Sequence, residues 1–378
     1  MKTDLSLYIH IPFCVKKCKY CDFLSFCAGE DEKSKYIDTL IEEIRQCAPK
    51  YADRKVVSIY IGGGTPSIIN AVDIKRIFDV LRASFDILSD AEISIEINPG
   101  TVDLCKLEEY YKYGINRISI GLQSAKDSEL RLLGRIHTYD DFIKTYENAR
   151  KTGFKNINID LISALPGQSA EDYCESLQKV IELEPEHISA YSLQLEEGTY
   201  FFEHRQEYDW PGEETDRQIY AATKKILEMN GYHRYEISNY SKEGFECEHN
   251  KVYWKRGNYL GLGLGAASLV DNVRFCNTRD FRNYGKTGYV DAEILSLKDQ
   301  IEEYMFLGLR LVEGVSPEAF NAEFGLDIDV VYGDVLKKTI EAGLLFRGER
   351  IKLTEYGLDI SNYVFSEFLL DDDWGAGK

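Results

Sequence analysis

Five times in the first half of this chain, a short β-branched run leads straight into a glycine, proline or polar turn. Residues 56–61 end in Gly62-Gly63-Gly64, and residues 93–97 end in Asn98-Pro99-Gly100. Residues 117–120 end in Gly121, residues 157–161 continue to Pro166-Gly167, and residues 187–193 close the series. A sixth strand pattern, residues 5–9, precedes them all. Helical stripes lie between: Tyr36, Ile37, Leu40, Ile41 and Ile44 form one, and Ile74, Ile77, Phe78, Leu81 and Phe85 another. Alternating units of this kind predict a parallel sheet with right-handed crossovers. Six strands are fewer than a closed eight-stranded barrel needs. The expected fold class is therefore α/β, an open (β/α)6 partial TIM-like barrel, with ligands gathered at the C-terminal ends of the strands.

The expected organisation has three parts. Residues 1–200 form the (β/α)6 core. Residues 201–296 form an extension, with a helix over 214–229, a strand-like run over 233–237, a polar stretch over 238–250 and glycines at 261, 263 and 265. Residues 297–378 form a small C-terminal helical domain. Its helix patterns at 300–311, 317–324 and 330–342 precede short strands at 344–347 and 350–353, a winged-helix-like order. The acidic tail Asp371-Asp372-Asp373 is expected to be loose.

The chemistry starts at Cys14, Cys18 and Cys21, spaced C-x-x-x-C-x-x-C on a loop after the first strand, with Tyr20 before the third thiol. Three thiolates so close can converge on one [4Fe–4S] cluster and leave one iron open to a small molecule. A structural zinc site wants four ligands, and His10 is the one nearby histidine. Disulfides fit poorly with nine cysteines, an odd number, most of them scattered. The net charge of −19 argues against nucleic acid as the main partner. No apolar run approaches the roughly 20 residues of a membrane span. With no targeting segment at the start, the expected compartment is the cytoplasm.

Gly62-Gly63-Gly64-Thr65-Pro66 after a strand would let backbone approach a ligand; the plain alternative is a tight turn. Glu96 and Asp160 each interrupt an apolar strand just before its turn, so each needs a partner if buried. Gln123 and Arg135 could supply amide and guanidinium contacts. On their own, all four could equally be structural.

The cysteine run resembles the signature of the radical S-adenosylmethionine (SAM) superfamily. That resemblance implies SAM chelated on the open iron, an electron donor, and cleavage of SAM to a deoxyadenosyl radical. Over nearly its full length the chain is similar to oxygen-independent coproporphyrinogen III oxidase and its relatives. The matching segments are Y-I-H-I-P-F-C at 8–14, G-G-G-T-P at 62–66, E-I-N-P at 96–99, I-G-L-Q-S at 120–124, L-G-R at 133–135 and D-L-I-S-A-L-P-G-Q at 160–168. The resemblance implies SAM contacts from Tyr8, Tyr20, Gly63, Gly64, Thr65, Glu96, Gln123, Arg135 and Asp160, with Tyr191, Gln194 and Ala267 nearby. One or two SAM molecules are implied. Two departures stand out: Phe23 occupies the place of a further cysteine, and the oxidase's N-terminal extension is missing. H-N-K-V-Y-W at 249–254 resembles the signature of the HemW subgroup, the heme chaperones of the same superfamily. That implies heme binding, a heme-accepting partner protein, and His249 as a candidate ligand to the iron. The alternative for His249 is a capping histidine among buried aromatics. The alternative activities are the oxidase's radical decarboxylation in porphyrin biosynthesis and another radical SAM reaction.

Overall fold

The computed structural model describes residues 4–371 and Trp374; Asp372 and Asp373 of the acidic tail lie outside the described residues. The strands are β1 (Asp4–Ile11), β2 (Lys55–Gly63), β3 (Asp86–Ile97), β4 (Arg117–Gln123), β5 (Ile157–Ser163), β6 (His187–Ser192), β7 (His233–Arg234), β8 (Asn239–Ser241), β9 (Tyr259–Leu262), β10 (Ala267–Val270), β11 (Val273–Cys276), β12 (Val290–Ile294), β13 (Leu345–Arg347) and β14 (Ile351–Leu353). The helices are α1 (Glu30–Cys47), α2 (Ala71–Ser84), α3 (Leu104–Lys112), α4 (Asp127–Leu132), α5 (Tyr139–Thr152), α6 (Ala170–Ile181), α7 (Tyr200–Glu203), α8 (Glu213–Met229), α9 (Glu248–Trp254), α10 (Leu297–Gly308), α11 (Pro317–Phe324), α12 (Ile328–Glu341), α13 (Glu355–Asp359) and α14 (Ser361–Ser366).

β1 to β6 are mutually parallel and adjacent in sequence order, as the alternation predicts. The sheet is wider than six strands. Its order is β12-β11-β10-β9-β1-β2-β3-β4-β5-β6-β8-β7. The glycine-rich run of the extension supplies β9, a further parallel strand beside β1. The rest of the extension adds antiparallel strands to both edges, so residues 201–296 build onto the same sheet.

Strands of a parallel sheet usually bury apolar residues on both faces. Here they alternate instead. Leu5, Leu7 and Ile9 of β1, Ile59 and Ile61 of β2, Ile93 and Ile95 of β3, Ile118 and Ile120 of β4 and Ile157 and Ile159 of β5 share one core with the apolar stripes of α1, α2, α5 and α6. The opposite, inner face carries Ser6 and Tyr8, Ser58 and Tyr60, Ser94 and Glu96, Arg117 and Ser119, Asn158 and Asp160, and His187 and Ser189. A period of two puts the whole polar set on that face.

The C-terminal unit has its own core around Ile301, Met305, Phe320, Tyr332, Leu336 and Ile351. Three helices precede the antiparallel β13–β14 pair. α10 begins at Leu297, earlier than its apolar pattern suggests, because Ser296 and Asp299 form a capping box. The unit docks where α9 ends. Arg256 donates to Glu303 (3.1 Å) and Glu323 (3.3 Å), and the Arg310 guanidinium sits 4.2 Å over the Trp254 ring.

Candidate cofactor site

A cavity of about 360 Å³ opens at the C-terminal ends of β2 to β6, walled on one side by the loop after β1. Cys14, Cys18, Cys21 and Tyr20 line it, with Gly63, Gly64 and Thr65, then Glu96, Gln123, Arg135 and Asp160, and finally Tyr191 and Gln194. Sequence segments up to 180 residues apart thus share one wall, which is what a parallel sheet does to the ends of its strands.

The glycine loop is fixed against the cysteine loop. Gly64 N–H donates to Ile11 O (2.9 Å) and Thr65 N–H to Phe13 O (2.8 Å). A Cβ on Gly64 would lie 2.6 Å from Phe13 O and 3.0 Å from Cys14 Sγ. Gly63 has φ +116°, and a Cβ there would strike the His10 ring at 2.6 Å. The glycines are therefore required by the chain's own packing as well as by any ligand. Thr65 Oγ1 reaches Cys14 Sγ at 3.6 Å and accepts from Asn98 Nδ2 (2.8 Å). Arg135 donates to Asn98 Oδ1 (2.7 Å) and Gly121 O (2.6 Å), with Nη1 3.7 Å from Cys18 Sγ. One polar chain thus ties two of the three cysteines to the ends of β2, β3 and β4.

Glu96 accepts from Tyr60 Oη (3.0 Å) and from Gly63 N–H (3.1 Å). Burial, and next the Asp160 charge, push its carboxyl up to about 7. Asp160 accepts from Asn158 Nδ2 (2.7 Å) and Ser119 Oγ (3.1 Å), and burial raises it too. Two half-buried carboxyls facing one cavity suit hydroxyl or ammonium groups of a ligand. Gln123 sits at a bulge in β4 with φ 74°, a left-handed conformation that bends its side chain off the ladder.

Among the described residues, no three His, Cys, Asp or Glu side chains are grouped to hold a metal ion. The donor set nevertheless fits a cluster: three half-buried thiols in the wall of one cavity, none of them in a disulfide. Burial pushes the Cys14 and Cys21 thiols up, so iron must displace protons there.

Three expected contacts differ. Tyr8 stands one layer back, stacked on Tyr60 (6.4 Å) and bonded to His10 Nδ1 (3.0 Å), and does not line the cavity. Ala267 pairs with Cys276 at the start of β10, also away from the cavity. His249 is 1% exposed, and both ring nitrogens are taken, Nδ1 by Ser58 Oγ (2.8 Å) and Nε2 by Tyr253 Oη (3.0 Å). The His249 ring is enclosed among buried aromatics, as the alternative reading of this candidate heme ligand has it, and burial, then Arg117, lower it to about 3, which keeps it neutral. Conversely, Asn98 and Tyr60 escaped the sequence reading. Asn98 lies inside the E-I-N-P segment, and Tyr60 has the alternation parity of Glu96, the two signals that could have found them.

Residues 8–180 match the radical SAM superfamily, and residues 295–360 match the HemN C-terminal domain. Fold and cysteine loop together define a radical SAM protein. The solved structure of coproporphyrinogen III oxidase (HemN) from Escherichia coli, a radical SAM enzyme, is similar with a TM-score of 0.86 at 26% identity, covering 97% of this chain and 90% of that one. The heme chaperone HemW of Lactococcus lactis subsp. lactis (strain IL1403) is 37% identical, covering 97% of this chain and 98% of its own. That of Bacillus subtilis (strain 168) is 35% identical, covering 96% and 99%. The chain belongs to the HemW family of heme chaperones.

Proposed function

We propose that this protein binds heme and passes it to a heme-accepting protein, using a [4Fe–4S] cluster and SAM as resident cofactors. The observation that carries the reading is near full-length similarity to proteins named heme chaperones, at 37% and 35% identity. Cys14, Cys18 and Cys21 would hold the cluster. Tyr20, Gly63, Gly64, Thr65, Glu96, Gln123, Arg135 and Asp160 would hold SAM. When bound, these groups supply one-electron chemistry. The chain's own part is to hold and shield. The glycine loop presents backbone close to Cys14, Arg135 fixes the strand ends, and Glu96 and Asp160 meet polar groups of the ligand. An external electron donor is implied, and equilibrium dialysis decides between one and two SAM molecules. Nine unpaired cysteines suit a reducing compartment, which supports the cytoplasm.

Phe23, 60% exposed beside Cys21 on the cavity wall, gives an apolar surface of the kind a porphyrin covers. The TM-score of 0.86 favours coproporphyrinogen III oxidation as the second reading.

The test is a heme titration of anaerobically reconstituted protein, followed by mixing with an apo-hemoprotein. Saturable binding and transfer are expected. Efficient conversion of coproporphyrinogen without saturable heme binding would replace this reading with the second one.

A further inference from the structure

We infer that His249 is a positioning residue: through Tyr60 it holds Glu96 against the glycine loop, so the H-N-K-V-Y-W helix backs the wall of the cofactor cavity from one layer behind. The inference rests on the cofactor reading above.

α9 enters from the N-terminal end of the sheet's inner face. Its first turn is anchored by Glu92, which accepts from His249 N–H (3.2 Å) at Oε1 and from Glu248 N–H (3.1 Å) at Oε2. A carboxylate at a helix start satisfies otherwise unpaired amides. This anchoring aims the His249 ring into the sheet. There it lies flat on Tyr60, with centroids 5.2 Å apart and planes 26° apart. Tyr253 closes its edge at 5.1 Å and 85°. Ser58 donates onward to Ser6 Oγ (2.7 Å), which leaves His249 Nδ1–H as the donor to Ser58 and Nε2 as the acceptor from Tyr253. The imidazole is held on both nitrogens and one face.

Tyr60 is therefore gripped between Tyr8 and His249, two flat neighbours. Its hydroxyl donates to Glu96 Oε1, and Gly63 N–H takes Oε2. There is no slack at this joint. A Cβ on Gly62 would come within 3.0 Å of Tyr60 and 3.1 Å of Glu96. Removing the imidazole opens space directly behind the Tyr60 ring. The ring then settles into it, its hydroxyl leaves Glu96, and the carboxylate loses the partner that fixes it opposite Gly63.

A double-mutant cycle on SAM affinity tests this in anaerobically reconstituted protein, with cluster absorbance confirming loading. His249→Ala and Tyr60→Phe should each weaken SAM binding about tenfold, the scale of one lost hydrogen bond to a charged group. The double variant should be no more than about twofold worse than either, because both remove the same joint. His249→Phe, which keeps a flat face on Tyr60, should stay within about threefold of the parent. Should His249→Ala not fold, His249→Gln enters the same cycle with the same expectation. Unchanged SAM affinity in the His249 variant, or multiplying penalties in the double variant, would overturn the inference. Parent protein that binds no SAM would overturn the cofactor reading, and the inference with it. Loss of heme binding alone, with SAM affinity intact, would return His249 to the heme.

Discussion

The inner face of the sheet has two ends made by the same strands, and they are treated oppositely. At the N-terminal end the polar groups close on one another. His187 is bonded to Asn158 (2.6 Å) and Tyr235 (2.8 Å), and His249 to Ser58 and Tyr253. At the C-terminal end Glu96, Gln123, Asp160 and Arg135 face a cavity instead. The chemistry of the two sets is alike. A satisfied buried network specifies a fold, and polar groups left facing open space await a ligand. Function is located by the leftover capacity, not by polarity alone.

The largest effect should come from unfastening the closed end. Arg256→Ala removes the buried cation shared by Glu303 and Glu323 and should cost about 3 kcal/mol, the low end for a broken buried pair because Arg274 still pairs with Glu303. Urea unfolding measures it; a loss below about 1 kcal/mol would show that α9 and the C-terminal unit are held by packing alone.

Glu96 gives the open end a pH signature. Its carboxyl is raised from 4.5 to about 7 in the folded chain. Below the unfolded value both states are protonated and nothing is lost. As pH rises from there through about 7, the cofactor-free fold loses up to roughly 3 kcal/mol, and the loss then levels off. Glu96→Gln should flatten that slope in melts across this range. An unchanged slope would show that Glu96 is not the group responsible.

Gly64→Ala should displace the Cys14 loop, lowering stability by about 1–3 kcal/mol and impairing cluster loading, seen as reduced iron–sulfur absorbance. The smallest effect sharpens the contrast most. Gln123→Gly relieves a left-handed residue and should raise stability by about 1 kcal/mol while weakening SAM binding. Stability gained together with affinity lost is the mark of an open-end residue; a closed-end residue would lose stability.

Much of this was legible in the chain. The six parallel strands were visible because each ends at a turn signal, and Pro317–Phe324 was bounded by its proline and its glycine. Glu96 and Asp160 stood out because a carboxylate interrupts an apolar run. The edge strands were not legible. β9 has glycine at 261 where strand propensity is poor, and pairing with β1 overrides it. The length of β3 was hidden as well, because Ser89, Asp90 and Glu92 break its apolar pattern. The role of His249 could not be read from spacing, since its partners Ser58 and Tyr60 lie on a strand about 190 residues earlier and meet it only through the fold.

The central claim is that the open end binds and the closed end holds the fold. SAM affinity of the reconstituted protein, measured for Asp160→Asn and His187→Asn together, tests it most directly. Asp160→Asn should weaken binding about tenfold, and His187→Asn should leave it within about twofold while the melting temperature falls. Affinity lost at His187 and kept at Asp160 would contradict the account.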